Sequence, residues 1–191
     1  TQMANGEFTW EQFLDLCKEV QDKGAATWGL THRPGAGSDF LDVFRTLGGE
    51  YYNDEGKLVF DSEGLQRFFQ EIYDNANTTK ITPQNLTQTT WDTINTMVGD
   101  GTAFAYYGPL YSATYVAGAV DKTPEQFAED VGFAVFPVSE YNDTPFCIAA
   151  PQGMGINATT QYPEICKDLF RELYSGDSID QLAHHADTIF T

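Results

Sequence analysis

Amphipathic helical stretches alternate with short apolar runs along this chain, and that alternation limits the fold more than any single motif. Thr9-Trp10-Glu11-Gln12 is a capping box, in which the Thr hydroxyl bonds to the third helical amide and Gln12 returns a bond to the cap. Phe13, Leu16, Cys17 and Val20 follow at helical spacing, and Gly24 closes the helix. Residues 26–31 read as a strand. Pro34 and two glycines make 33–37 a non-helical loop. Ser38 or Asp39 caps a second helix, with Phe40, Leu41, Phe44 and Leu47 on its apolar face and Gly48-Gly49 at its end. A hairpin is expected over 51–60. Asp61 or Ser62 caps a third helix, with Leu65, Phe68, Phe69, Ile72 and Tyr73 inward.

The second half repeats the alternation. Residues 75–88 form a polar loop, and 89–98 a helix with Trp91, Ile94, Met97 and Val98 on its apolar side. A strand is expected over 102–107, stopped by Gly108-Pro109, then a helix rich in Ala and Tyr to 119. Thr123-Pro124-Glu125-Gln126 is a second capping box, with Pro at the first helical position. Short strands are expected over 131–138, 146–150 and 154–156, and helices over 162–174 and 178–185. Helices and strands in this order define the α/β class.

Charge narrows the function. The 191 residues hold 28 Asp and Glu against 10 Lys and Arg, a formal net charge of −18. Nucleic-acid binding needs clustered cations to neutralise phosphates, and docking on an anionic bilayer needs them too. Neither partner fits. The acidic excess reads either as a solvated surface suited to high salt, where the Debye length shrinks to about 3 Å at 1 M, or as ordinary low-pI variation. Hydrophobic residues make up 41% of the chain, enough for a packed core. No run of apolar residues is long enough to span a bilayer.

The N-terminus has no basic segment followed by an apolar one, so no signal peptide is expected. The chain is then either cytoplasmic or begins inside a longer one. Cys17, Cys147 and Cys166 are widely spaced, with no Cys-x-x-Cys pair, so neither a zinc site nor a disulfide framework is expected. Sequons at Asn77, Asn85, Asn142 and Asn157 are compatible with export.

Catalytic signatures are missing. There is no Gly-x-Ser-x-Gly, no phosphate-cradling Gly loop followed by Lys, and no His-Glu-x-x-His. Adjacent His184 and His185 point about 100° apart on a helix and are poorly placed to share a metal. Asp39 with Asp42 is the sort of acidic pair any such composition produces. Neither catalysis nor a cofactor is expected. Aromatics at strand ends and turns point instead to ligand stacking: Tyr51, Tyr52, Tyr106, Tyr107, Tyr111 and Tyr115 each offer an apolar face with a polar tip. Strand alternation lets at most one of Tyr106 and Tyr107 face a ligand.

The order of these motifs resembles the extracellular solute-binding proteins of ABC importers, family 1, the maltose-binding-protein-like group. The resemblance is carried by Phe8-Thr9-Trp10-Glu11-Gln12-Phe13, Gly48-Gly49, Asp54-Glu55-Gly56-Lys57 and Phe60-Asp61-Ser62-Glu63. It continues through Trp91, Gly99-Asp100-Gly101-Thr102-Ala103, Tyr107-Gly108-Pro109-Leu110, Phe136-Pro137-Val138, Gly155-Ile156-Asn157 and the helix from Pro163 to Tyr174.

The resemblance implies a periplasmic-binding-protein-like type II fold, of which this chain is one lobe with part of the hinge-crossing segment. Residues 7–147 would be the second, C-terminal lobe. Residues 148–191 would cross the hinge near 147–153 and pack toward a first lobe lying upstream. It implies a neutral sugar or oligosaccharide held between two lobes and delivered to ABC permease subunits at the extracellular face of the membrane or in the periplasm. By position in the family, Ser38, Asp39, Phe40, Tyr107, Gly108, Leu110, Tyr111 and Gly155 would line the cleft. Leu110 stands where the family often has a stacking Trp, and Tyr111 is placed to substitute for it. Lacking its first lobe, the chain would expose an apolar surface and dimerise through it. Two alternatives stay open: a polyamine- or cation-binding relative using cleft carboxylates such as Asp39, and a fragment of a carbohydrate-active enzyme.

Overall fold

The structure is a computed structural model that describes residues 2–33, 39–108, 111–147 and 154–180, with the side chains of 39–41 and 124 left aside. Its elements are α1 (Trp10–Asp22), β1 (Trp28–His32), α2 (Asp39–Thr46), α3 (Ser62–Asn77), a 3-10 turn (Leu86–Gln88), α4 (Trp91–Gly99), β2 (Ala103–Tyr107), α5 (Ser112–Ala119), α6 (Pro124–Asp130) and α7 (Pro163–Leu173).

Local chemistry sets the helix starts. At α1 the Gln12 amide donates to Thr9 Oγ1 at 3.3 Å and the Thr9 amide donates to Gln12 Oε1 at 2.9 Å, so both halves of the capping box form. Thr123 and Gln126 repeat it at α6. At α3 the Asp61 carboxylate accepts from the Gly64 amide at 2.8 Å, which holds the Asp61 carboxyl below its ordinary range. Thr9→Ala is expected to lower stability by about 1 kcal/mol in urea unfolding, because it orphans an amide in the first turn. Gly24 takes φ +70° just past α1, a conformation that strains any residue with a Cβ.

β1 and β2 lie parallel, pairing Trp28 with Ala103, Leu30 with Ala105, Thr31 with Tyr106 and His32 with Tyr107. On its other edge β1 bonds to the loop after α3, where the Leu30 amide donates to the Ile81 carbonyl at 3.0 Å. α1 packs hard on β1. A Cβ at Gly29 would stand 2.4 Å from the Cys17 carbonyl oxygen, closer than a side chain permits. Trp10, Cys17, Leu30, Val43, Phe44, Leu47, Phe68, Ile81 and Tyr107 form the main core. A smaller one joins α5 to α6 through Ala113, Val116, Ala117 and Phe127.

Two expectations meet corrections. Of the strands expected over 131–138, 146–150 and 154–156, the described residues form only single bridges, Phe136 with Phe146 and Thr9 with Val138. Pro137 lacks the amide a ladder requires, and each bridge serves to pin the chain to its neighbour. Residues 148–153 and 181–191 lie outside the described residues, and with them the hinge crossing, His184 and His185. The hairpin over 51–60 is likewise reduced to one bridge, Tyr52 with Leu58.

The second correction concerns α3. Phe68 is buried, but Phe69 is 62% exposed and Tyr73 59%. α3 packs on α2, where Phe68 meets Phe44 edge-on at 6.1 Å, and its other side faces solvent. The inward stripe runs through Gly64, Phe68 and Asn75, and positions 69 and 73 sit one step around the helix from it. By contrast α7 buries no residue, as expected for a segment that packs toward a lobe outside this chain. Its stripe of Ile165, Leu169 and Leu173 stands open to solvent, Ile165 at 66%.

The thiols follow the same division. Burial pushes Cys17 up to about 12, while Cys147 is exposed and Cys166 half-buried. A thiol reagent at neutral pH is expected to label Cys147 fastest and Cys17 only after denaturant is added. Rapid native labelling of Cys17 would contradict its burial between α1 and β1.

Candidate functional site

In open α/β sheets the carboxyl ends of parallel strands gather the groups that meet a ligand. Here those ends are His32 and Tyr107, register partners whose rings stack at 4.8 Å and 8°. Both are buried. Tyr107 meets Trp10 edge-on at 6.2 Å and Phe136 at 6.3 Å. Burial drives the His32 imidazole down to about 4, so it is neutral at physiological pH. These two rings form the floor of the edge.

One step along the chain the groups turn outward. The Arg33 guanidinium lies over the Trp91 indole, 4.5 Å from the ring centroid. Trp91 meets Tyr106 edge-on at 6.5 Å and 65°. Trp91 reaches this edge because α4 runs antiparallel to β2, through the tight turn at Asp100 and Gly101, so the start of α4 stands beside the end of β2. Tyr106 folds across the backbone of Gly108, where a Cβ would fall 2.1 Å from its Oη. Gly108 therefore has to be glycine for Tyr106 to lie as it does. Tyr111 precedes α5 with half its surface exposed. Ser112 Oγ and Thr31 Oγ1 are buried and have no hydrogen-bond partner among the described residues. Each leaves an unmet polar demand near the strand ends.

The arrangement suits recognition. Among the described residues no group of three His, Cys, Asp or Glu could hold a metal ion. Aromatic faces, a guanidinium and hydroxyls offer stacking surfaces and hydrogen-bonding groups to a polar ligand.

The expected site residues distribute unevenly. Tyr107 lies in the buried floor, Gly108 under the Tyr106 ring, and Tyr111 is exposed just before α5. Asp39 and Phe40 open α2, their side chains outside the described set. Ser38 and Leu110 lie outside the described residues. Gly155 sits in the exposed irregular stretch before α7, with open space around it. Arg33 and Trp91 were missed. Arg33 reads in sequence as loop, and Trp91 as the inward residue of a helix. The available signal was that a Trp placed directly after the cap Thr90 stands at the helix end nearest the strand termini.

Parallel strands flanked by helices fit part of a periplasmic-binding-protein-like α/β fold. The chain belongs to the bacterial extracellular solute-binding protein family, whose sequence pattern matches residues 2–177. Its fold is similar to that of maltose-bound MalE3 from T. maritima, with a TM-score of 0.69 and 21% sequence identity, over 89% of this chain and 44% of that one. The chain thus spans less than half the length of that relative. No curated protein sequence matches it. The family comprises solute-binding proteins rather than enzymes, and its description places them outside the cell. No helix among the described residues is long and apolar enough to cross a membrane.

Proposed function

We propose that this chain is the second lobe, residues 7–147 with a hinge-crossing segment from 148, of a two-lobed receptor that captures a neutral sugar for an ABC importer. The observation that carries the reading is the family match across nearly the whole chain. The likeness to a maltose-bound protein and the aromatic rim support a sugar. The composition argues against an anionic solute, with 28 acidic residues against 10 basic ones.

In this reading the solute sits on the strand-end edge. Tyr111 stacks on a sugar face, and Ser38, Asp39, Phe40, Tyr107, Gly108, Leu110 and Gly155 line the cleft. Closure of the first lobe buries the solute, and the closed shape is what the permease subunits recognise at the outer membrane face or in the periplasm. The open stripe of α7 packs on the first lobe, and where that lobe is lacking it pairs two copies of the chain.

Calorimetric titration of the two-lobed protein with neutral oligosaccharides tests this. Micromolar binding is expected, with Tyr111→Ala weakening it about tenfold through the lost ring contact. The acidic excess favours a second reading, a polyamine bound through carboxylates such as Asp39. Spermidine binding that displaces sugar, or that occurs in its place, would support that reading. Release of a cleaved sugar during the titration would instead support a carbohydrate-active enzyme.

A further inference from the structure

We propose that Arg33, held against the Trp91 indole, is the residue that reads the hydroxyl pattern of the solute. This rests on the sugar-receptor reading and says which group gives that site its selectivity. Three elements converge to build the platform. Arg33 is the first residue past β1, Trp91 the first of α4, and Tyr106 the penultimate residue of β2. Tyr106 braces the indole edge-on, and the indole holds the guanidinium 4.5 Å above its ring. All three are half-buried. The guanidinium is thereby oriented before any solute arrives, so less ordering entropy is lost on binding.

The chemistry follows from the group. A guanidinium carries five N–H donors in one plane, more than a single acceptor takes up. Two of them, parallel and adjacent, match two neighbouring oxygens. A carboxylate presents such a pair, and so do adjacent equatorial hydroxyls of a pyranose ring. Charge decides between them. The chain bears a net charge of −18. That field repels an anionic solute and leaves the hydroxyl pair as the fitting partner. Inverting one hydroxyl would break the pair, so the platform distinguishes epimers. An ammonium has no such fork, and lysine cannot replace it.

The test uses the two-lobed protein and neutral disaccharides and trisaccharides of glucose, galactose, mannose and xylose. The tightest of them serves as the probe. Arg33→Lys is expected to weaken probe binding about tenfold or more and to flatten the ratio between the probe and its epimers. The loss should persist in raised salt, because the lost contact is a hydrogen-bonded fork rather than a bare charge. The thermal midpoint should stay near the parent's. Trp91→Leu should also flatten the epimer ratio by freeing the guanidinium. An Arg33→Lys protein with the parent's affinity and epimer ratio would overturn the role of Arg33 while leaving the sugar reading intact. A parent protein that binds none of the neutral sugars would overturn both. Tighter binding of a digalacturonate, lost with Arg33→Lys in a salt-dependent way, would overturn the hydroxyl assignment.

Discussion

Replacing Trp10 with alanine is expected to lower the unfolding free energy by about 3–5 kcal/mol. The indole is 2% exposed and joins four parts of the fold. It packs on Phe13 of its own helix at 5.4 Å, meets Tyr107 of β2 edge-on, and stacks on Phe136 at 6.2 Å and 20°. Its Nε1 donates to Glu71 Oε1 on α3 at 3.4 Å, and its backbone amide donates to the Val138 carbonyl at 2.7 Å. Alanine keeps the last of these and loses the others. The hole lies where three elements meet, so no single one can move to fill it. For a chain of this size the midpoint should fall by roughly 6–20 °C. Trp10→Phe separates the contributions, since it retains much of the ring area but leaves Glu71 bonded to Asn75 alone. Burial already raises the Glu71 carboxyl, and losing a donor should raise it further. Urea unfolding of both variants checks this. A cost below about 1 kcal/mol for the alanine would mean that Trp10 is not the junction described.

Acid should weaken the fold well before its carboxylates titrate. His32 falls from an ordinary 6.5 to about 4 on folding because burial disfavours the imidazolium. Between those values the unfolded chain binds a proton that the folded chain does not, so stability drops as pH falls through that window. The full loss is about 3 kcal/mol, of which about 2 kcal/mol should appear between pH 7 and pH 5. Glu71 works in the opposite sense. Its raised folded value means that charging it costs stability, and that cost is relieved as pH falls through the raised value. Unfolding free energies at intervals from pH 7.5 to 5 should slope downward for the parent, and His32→Gln should remove most of that slope. An equal slope in both proteins would show that His32 does not change its proton affinity on folding.

What could be read from the sequence was what is decided locally. Thr9, Asp61 and Thr123 announce helices because the cap and its amide lie within three residues of each other. The strand of 131–138 could not be read correctly, because a strand exists only through its partner. Here Phe136 and Val138 find partners in different places, Phe146 and Thr9. Periodicity located the buried side of α3 only roughly, since which of Phe68 and Phe69 turns inward depends on where α2 places Phe44. The site divides in the same way. Gly108 and Tyr111 enter as candidates only through family resemblance. Arg33 and Trp91 come together only once β1, α4 and β2 are assembled, and no local pattern marks that contact.

The pairing of β1 with β2 also bears on synthesis. The strands are register partners, yet α2, α3 and α4 lie between them in the chain. A nascent chain emerging N-terminus first therefore exposes β1 for a long interval, with one edge held at Leu30 by Ile81 and the other unfilled. The groups that would greet a solute have no fixed geometry until Tyr107 has left the ribosome. Contacts so distant in sequence form late. Protease protection of ribosome-arrested chains should therefore rise sharply only once β2 has cleared the exit tunnel, and until then the open edge of β1 is the natural place for a chaperone to bind.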